Sequence, residues 1–340
     1  MEVNTDLNAT DEFYFQWHIT ERCNKHCRHC YQNGHPINDL PLAKLELVLD
    51  HMVEALVKWD RQGSLSFTGG EPFVRQAELF SLMDEVDRID AFAYYDILTN
   101  GSLISDDVAI ALKKQSKLRR VQVSLEGATA ETNDTIRGDG SYEETLTSIR
   151  TMKRHGLTTS VMTTVSKINY DEIPQLIELL SNEGVDTFAL ERLIPEGRGQ
   201  SLSKQLLTSE ELKKLYEHVY NIALQKNGTR ILMYRPLFAL VAPEDPDVGA
   251  LCSVGNNALT IMPDGTVYPC RRLPIPIGNV LVDGLFSVWY DSELLWRVRN
   301  PDNFKGKCRD CDLFTSCRGC RAMAYFCSGD YMAEDPACWR

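Results

Sequence analysis

The chain has 340 residues, 43% of them hydrophobic, enough to bury a sizeable core and to divide into a main domain and a smaller module. Its 36 basic and 48 acidic residues give a net charge of −12, which argues against a general nucleic-acid binder, because such proteins need a basic surface to replace phosphate counterions. The N-terminus has neither the positive region nor the apolar core of a signal peptide, and no apolar run approaches the roughly 18 residues of a membrane span, so a cytoplasmic protein without nucleic-acid or membrane partners is expected.

After a short tail (1–12), the first strand is expected at 13–19. It runs into Cys23, Cys27 and Cys30, spaced C-x3-C-x2-C, with no further cysteine until Cys252. Three thiolates suit a four-iron cluster with one iron left open for a ligand, whereas structural zinc sites and fully ligated clusters want four protein ligands. The competing reading is a zinc knuckle completed by His26 or His29. Further strand-like runs fall at 64–68, 94–99, 121–125, 158–165 and 186–193. Amphipathic helices fall between and after them, at 42–59, 77–89, 106–115, 142–155, 172–183 and 209–225, the last with Thr208 as N-cap. Strands alternating with helices imply right-handed βαβ units and a parallel sheet, with chemistry at the carboxyl ends of the strands.

Gly69-Gly70-Glu71-Pro72 follows the second strand. Two glycines allow close backbone approach to a ligand and Glu71 can pair with an ammonium, although alone the tetrapeptide could be an ordinary turn. Thr99-Asn100-Gly101 ends the third strand and carries little information by itself. Ser124 ends the fourth. Arg137 lies in the loop beyond, where its guanidinium could bind a carboxylate in bidentate fashion or simply be solvated.

Eight more cysteines crowd into 252–338, a segregation that scattered structural thiols would not show, and in a cytosolic chain they point to metal or redox chemistry rather than disulfides. Cys252 precedes Gly265-x4-Cys270, with a hairpin turn at 263–266; then come Cys308-x2-Cys311-x5-Cys317, Cys320, Cys327 and Cys338. Taken alone, this segment could be two structural zinc sites. Trp289 and Trp296, at helical spacing, are expected to pack the module against the main domain. His18 and His155 read as ordinary packing or surface histidines.

These motifs together resemble the radical S-adenosylmethionine (radical SAM) enzymes that carry a C-terminal SPASM extension, and the resemblance covers nearly the whole chain. It implies a partial (β/α)6 TIM-like barrel over 13–230 and a cysteine-rich iron–sulfur module over 231–340. It implies S-adenosylmethionine (SAM) on a [4Fe–4S] cluster held by Cys23, Cys27 and Cys30, with His29 and Tyr31 near the adenine and Gly69, Gly70, Glu71 and Pro72 around the amino group. Ser124 and Arg137 would lie near the ribose and carboxylate, and Leu193 would offer backbone contacts to adenine. Two auxiliary [4Fe–4S] clusters are implied: an outer one on Cys308, Cys311, Cys317 and Cys338, and an inner one on Cys252, Cys270, Cys320 and Cys327. The pattern departs from the family in having two residues rather than three between Cys317 and Cys320, and in the added Cys327, so the placing of Cys320, Cys327 and Cys338 stays open.

The implied activity is reductive SAM cleavage to a 5′-deoxyadenosyl radical that takes hydrogen from a peptide. Oxidative modification then follows: a crosslink, thioether, epimerisation or side-chain oxidation. A flavodoxin or ferredoxin would supply electrons. Because the barrel begins near Phe13, the expectation is that no leader-recognition domain precedes it and that a separate protein recruits the peptide, or that the substrate is small. Decarboxylation or side-chain removal on a haem precursor is the alternative; a non-catalytic iron–sulfur or zinc scaffold is the alternative of another class.

Overall fold

The computed structural model describes residues 12–36, 38–225 and 228–340. Of the expected N-terminal tail only Glu12 falls within them.

Six strands, β1 (Glu12–His18), β2 (Gln62–Thr68), β3 (Phe92–Thr99), β4 (Leu118–Ser124), β5 (Thr159–Val165) and β6 (Thr187–Arg192), pair in parallel in chain order. The helices between them are α1 (Leu42–Trp59), α2 (Gln76–Val86), α3 (Asp106–Lys113), α4 (Ala130–Arg137), α5 (Ser141–Arg154) and α6 (Ile173–Asn182), with α7 (Ser209–Leu224) after β6. The strand period decides which face meets them. On β1, Phe13, Phe15 and Trp17 are fully buried on the helix side, where Phe13 lies 4.5 Å from the Trp59 ring at the end of α1. Tyr14 and Gln16, pointing the other way into the lumen, are only half-buried. The same alternation sets Val121 and Val123 against Gln122 and Ser124 on β4, and Val161, Thr163 and Val165 against Met162 and Thr164 on β5. The apolar core is therefore the ring between sheet and helices, and the lumen is polar and accessible.

Local chemistry explains the helix ends. α1 buries Leu45, Val48, Leu49, Met52, Ala55 and Leu56, one helical stripe. It stops at Asp60, whose left-handed backbone returns its amide to the carbonyls of Leu56 and Val57. α7 starts with a capping box in which Thr208 and Glu211 satisfy each other's backbone amides.

Two departures from expectation enlarge the sheet. β7 (Arg230–Leu232) adds in parallel beyond β6. β8 (Ala258–Ile261), expected only as an arm of a hairpin, also pairs in parallel with β1. β9 (Thr266–Tyr268) and β10 (Gly278–Asn279) continue antiparallel, giving one ten-stranded sheet in the order β10-β9-β8-β1-β2-β3-β4-β5-β6-β7. Gly265, at φ +84°, makes the β8–β9 turn. Trp289 packs as expected, 4.9 Å from Phe13 and 5.8 Å from Trp59. Trp296 does not: it is 54% exposed, and its indole N–H bonds to the carbonyl of Tyr290 in its own module. Among the described residues no helix is long and apolar enough to cross a membrane.

Candidate active site

The loop after β1 carries Cys23, Cys27 and Cys30 as free, partly buried thiols at the carboxyl end of the barrel. They stand close enough for Cys27 and Cys30 to bear electrostatically on Cys23. N–H groups are aimed at the sulfurs: Lys25 N to Cys23 Sγ at 3.4 Å, Gln32 N to Cys30 Sγ at 3.4 Å, and Asn100 Nδ2 to Cys23 Sγ at 3.8 Å. Burial pushes the Cys23 thiol up to about 11 and raises Cys30 as well, so a thiolate persists there only beside a cation that displaces its proton. Three free thiols with sulfur-directed donors fit an iron–sulfur cluster.

The glycines of the next motif serve the cysteine loop directly. A Cβ on Gly69 would lie 2.4 Å from the Thr20 carbonyl oxygen, and one on Gly70 2.4 Å from that of Arg22. The close approach lets Gly70 N donate to the Thr20 carbonyl and Glu71 N to that of Arg22, each at 2.9 Å. Glu71, expected beside an ammonium, already receives bonds from the protein on both carboxylate oxygens. Its buried Oε1 accepts from Thr99 Oγ1 (2.7 Å) and Phe73 N (3.1 Å), and Oε2 accepts from Asn100 N (2.7 Å). Pro72 opens the short 3-10 turn that Glu71 caps. Glu71 thus fixes the turn at 99–101, whose Asn100 also reaches Asn24 Oδ1 at 2.8 Å, so a tripeptide with little meaning in the sequence braces the cluster loop. Replacing Glu71 with Gln would set an NH2 group against the Asn100 amide. A loss of about 1–3 kcal/mol is expected, read as a lower denaturant midpoint at unchanged slope.

Arg137, the last residue of α4, donates Nη1 to Glu126 Oε1 at 3.1 Å, and its carbonyl lies 3.9 Å from Cys27 Sγ. Arg137, expected beside a ligand carboxylate, thus also holds a carboxylate of the protein itself. Glu126 also accepts from Thr164 N (2.6 Å) and faces His29 Nε2 (3.4 Å). Burial alone would raise the Glu126 carboxyl, but His29 and Arg137 together bring it below the usual range. The sequence signal was an acidic residue two positions past the strand end. Ser124 sits on the lumen face at the end of β4, in register with Met162. Leu193 is buried, with its amide bonded to the Val165 carbonyl at 3.1 Å.

Between this site and the module lies a bridge that sequence reasoning missed. Tyr31, next to Cys30, lies under the Arg271 guanidinium at 4.0 Å, and Arg271 is next to Cys270. Arg271 also pairs with Glu196 at 3.1 Å. His18, expected as an ordinary packing or surface histidine, is fully buried beside Tyr31 at 6.2 Å, with neither ring nitrogen hydrogen-bonded. Burial and Arg271 push its pKa well below the usual imidazole value.

In the module, Cys308, Cys311, Cys317 and Cys338 line one cavity of about 180 Å³. Sulfur-directed donors recur there: Gly319 N to Cys317 at 3.4 Å, Arg321 Nη2 to Cys308 at 3.8 Å and Arg340 Nη1 to Cys311 at 3.8 Å. Cys270 lies near Cys252 and Cys320, while the exposed Cys327 feels Asp335 and Arg192 more strongly than Cys320. Burial pushes Cys270 to about 11 and Cys317 to about 12, as at the first site. The arms are tied by Asp335, whose oxygens accept from Arg192 at 2.9 and 2.8 Å, from Cys320 N at 2.8 Å and from Ala337 N at 3.0 Å.

A three-cysteine loop on a partial barrel, joined to a cysteine-rich module, fits an iron–sulfur radical enzyme, and the chain belongs to the Radical SAM superfamily. That family matches residues 17–180, and the SPASM iron–sulfur cluster-binding domain matches residues 252–321. Its cofactors are accordingly SAM, a [4Fe–4S] cluster and auxiliary iron–sulfur clusters. The chain is similar to the AdoMet-dependent heme synthase of Methanosarcina barkeri, 30% identical over 95% of each protein. It is also similar to the mycofactocin maturase MftC of Mycolicibacterium smegmatis, 31% identical over 95% of this chain and 81% of the maturase. The fold matches Streptococcus suis SuiB bound to S-adenosylmethionine with a TM-score of 0.77, at 20% identity over 97% of this chain and 77% of SuiB. It matches anSMEcpe with bound AdoMet at 0.73, with 18% identity over 95% and 93% of the two chains.

Proposed function

We propose that this enzyme cleaves SAM reductively, takes a hydrogen atom from a peptide substrate and completes an oxidative modification of it. The observation that carries the reading is the contact of Arg271 with Tyr31, which joins the residue after Cys270 in the module to the residue after Cys30 in the barrel loop. A [4Fe–4S] cluster held by Cys23, Cys27 and Cys30 would supply the electron for reductive SAM cleavage, and clusters held by the module's cysteines would take up the electron that the substrate loses.

The chain's own groups do the positioning. Arg137 and Glu126 form a buried pair beside Cys27, with His29 on the same carboxylate. Glu71 and Asn100 hold the turn against the cysteine loop. Gly69, Gly70 and Pro72 set that approach, and Ser124, Tyr31 and the carbonyl of Leu193 complete the rim where SAM would lie. Holding the reactive carbon against one hydrogen in a walled lumen is what such a radical requires of its enzyme. The proposed auxiliary sets are Cys308, Cys311, Cys317 and Cys338, which line one cavity, and Cys252, Cys270, Cys320 and Cys327. A flavodoxin or ferredoxin is the proposed electron donor.

Peptides are supported as substrates by the maturase relative and by SuiB, which has been solved with the precursor peptide SuiA. A haem precursor is the second reading, favoured by the end-to-end match with the heme synthase. The test is anaerobic reconstitution with SAM and dithionite, comparing a peptide encoded beside this gene with iron coproporphyrin III. A mass loss of carbon dioxide from the porphyrin would select the second reading. A two-hydrogen loss or a crosslink in the peptide would select the first. Absence of 5′-deoxyadenosine under every condition would overturn both.

A further inference from the structure

Two buried arginines of the module have no anionic partner among the described residues. Within residues 252–340 the buried charged side chains are Arg271, Arg318, Arg321 and Asp335. Arg271 pairs with Glu196 and Asp335 with Arg192, which leaves Arg318, 3% exposed, and Arg321, fully buried. Their bonds run mainly to backbone carbonyls. Arg318 Nη1 donates to Val298 at 3.2 Å, and its Nη2 to Val254 at 2.6 Å and to Cys252. Arg321 Nη1 donates to Tyr331 at 2.8 Å and to Ala333 at 2.7 Å. Carbonyls accept from neutral donors too, so bracing these loops does not call for a charge in either place. A cation buried without a counter-charge is strongly unfavourable.

Both arginines stand at the cysteines. Arg321 turns Nη2 to Cys308 Sγ at 3.8 Å. Arg318, next to Cys317, lines the cavity shared by Cys308, Cys311, Cys317 and Cys338, while holding the carbonyl of Cys252 from the other set. The local backbone accommodates them. Arg318 has a left-handed φ of +43°, uncommon outside glycine. A Cβ on Gly319 would lie 2.8 Å from Arg321 Nη2 and 3.4 Å from Cys308 Sγ, so glycine is what leaves the guanidinium and the sulfur in contact. The exposed charges at the same cavity, Lys307 and Arg340 against Asp310 and Asp312, balance. The first site differs, because its buried Arg137 is already paired with Glu126.

We infer that Arg318 and Arg321 are the counter-cations of the module's iron–sulfur sites, and that they raise the reduction potentials of those sites so that the module takes up an electron more readily than the first site does. The inference rests on the functional reading above only for the source of that electron, the substrate radical. Thiolate ligation leaves an iron–sulfur core anionic, and each added electron deepens that charge. Its potential therefore depends on nearby charge and on hydrogen bonds to sulfur. A fixed guanidinium in a site of low dielectric favours the reduced, more negative form, and it is already in place when the electron arrives. In the transfer the substrate radical loses one electron and the module gains one. No arginine gains or loses a proton, and no ligand bond is broken. Arg318 and Arg321 are thus positioning residues, acting through the cysteines beside them.

The test is an anaerobic redox titration of the reconstituted holoenzyme without substrate, followed by electron paramagnetic resonance. The signal that added SAM alters marks the first site, and the remaining signals belong to the module. In the wild type the module's signals are expected at the higher potential. Arg321→Gln should lower a module potential, with a loss of about ten- to a hundredfold in the reduction equilibrium, each tenfold being about 59 mV for a one-electron couple. Arg321→Lys, which keeps the charge, should retain most of the wild-type value. Arg318→Gln should lower the module's potentials as well, and no variant should move the signal of the first site. Iron content and melting temperature establish that each variant is loaded and folded. Unchanged potentials in iron-replete Gln variants overturn the inference. An equal fall in Arg321→Gln and Arg321→Lys also overturns it, by assigning the effect to packing. A wild-type module that is reduced only at or below the potential of the first site overturns it whatever the variants do. Failure to form 5′-deoxyadenosine with dithionite would sink the functional reading and leave these potentials measurable.

Discussion

Replacing Cys23, Cys27 and Cys30 together with alanine should abolish dithionite-driven formation of 5′-deoxyadenosine and remove about four iron atoms per chain, leaving about eight. The expectation follows from the separation of the two cysteine constructions. The loop after β1 gathers its donors locally: the three thiols, the amides of Lys25 and Gln32, and the side chain of Asn100. The module's sulfurs draw theirs from Gly319, Arg321 and Arg340. Loss of one set leaves the other's ligands and N–H donors in place. Iron analysis with electron paramagnetic resonance on the reduced protein checks this. Proportional loss of all the iron would mean that the sets assemble as one unit, and zinc in place of iron would remove the redox role altogether.

Asp335→Ala should cost about 3–5 kcal/mol of stability, the usual consequence of leaving one member of a buried ion pair alone. Asp335 has no exposed side-chain surface and Arg192 little. The substitution strands that guanidinium and also removes the acceptors of the Cys320 and Ala337 amides. Because Arg192 ends β6 while Asp335 stands between Cys327 and Cys338, the loss should also release iron from the module. Asp335→Asn separates charge from hydrogen bonding and should cost less. The pH dependence has a definite sign. Burial would raise the Asp335 carboxyl, but Arg192 and the two amides outweigh it and hold it below the usual range. Its stabilisation is complete above the unfolded carboxylate value of about 3.9 and is lost as the pH falls through the lower folded value. The difference between wild type and Asp335→Ala in denaturant unfolding should therefore be widest near neutrality and shrink below about pH 4. A constant difference across that range would show that packing, not the ion pair, accounts for it.

What the sequence made legible was local. Periods of two and 3.6 residues located the six barrel strands and most helices, α1 to the residue, because those periods record which face meets the core. The cysteine spacings could be read because a short loop must bring its own donors together. Contacts between distant segments left no such trace. Nothing near Arg137 shows that Glu126 will occupy it, and nothing near Glu71 shows that Thr99 and Asn100 will take its oxygens. The parallel pairing of β8 with β1 joins residues more than two hundred positions apart, and a four-residue apolar run gives no hint of its partner. α4 escaped because its eight residues, Ala130–Arg137, are mostly polar and bury only Asn133, Ile136 and Arg137. His18 looked ordinary because a histidine at a strand end does not disclose whether its nitrogens will find partners.

The β8–β1 seam has a mechanical consequence. Four consecutive residue pairs, Tyr14–Ala258 through Trp17–Ile261, stitch the module onto the same strand that leads into the cysteine loop. Adjacent strands in such a ladder sit about 4.8 Å apart and do not slide without breaking every rung. The baseline between the two iron-binding regions is thus set by backbone geometry and does not depend on a flexible tether. Electron passage between them should be indifferent to solvent viscosity, which leaves the arrival and departure of substrate as the stages that a thickened medium can slow.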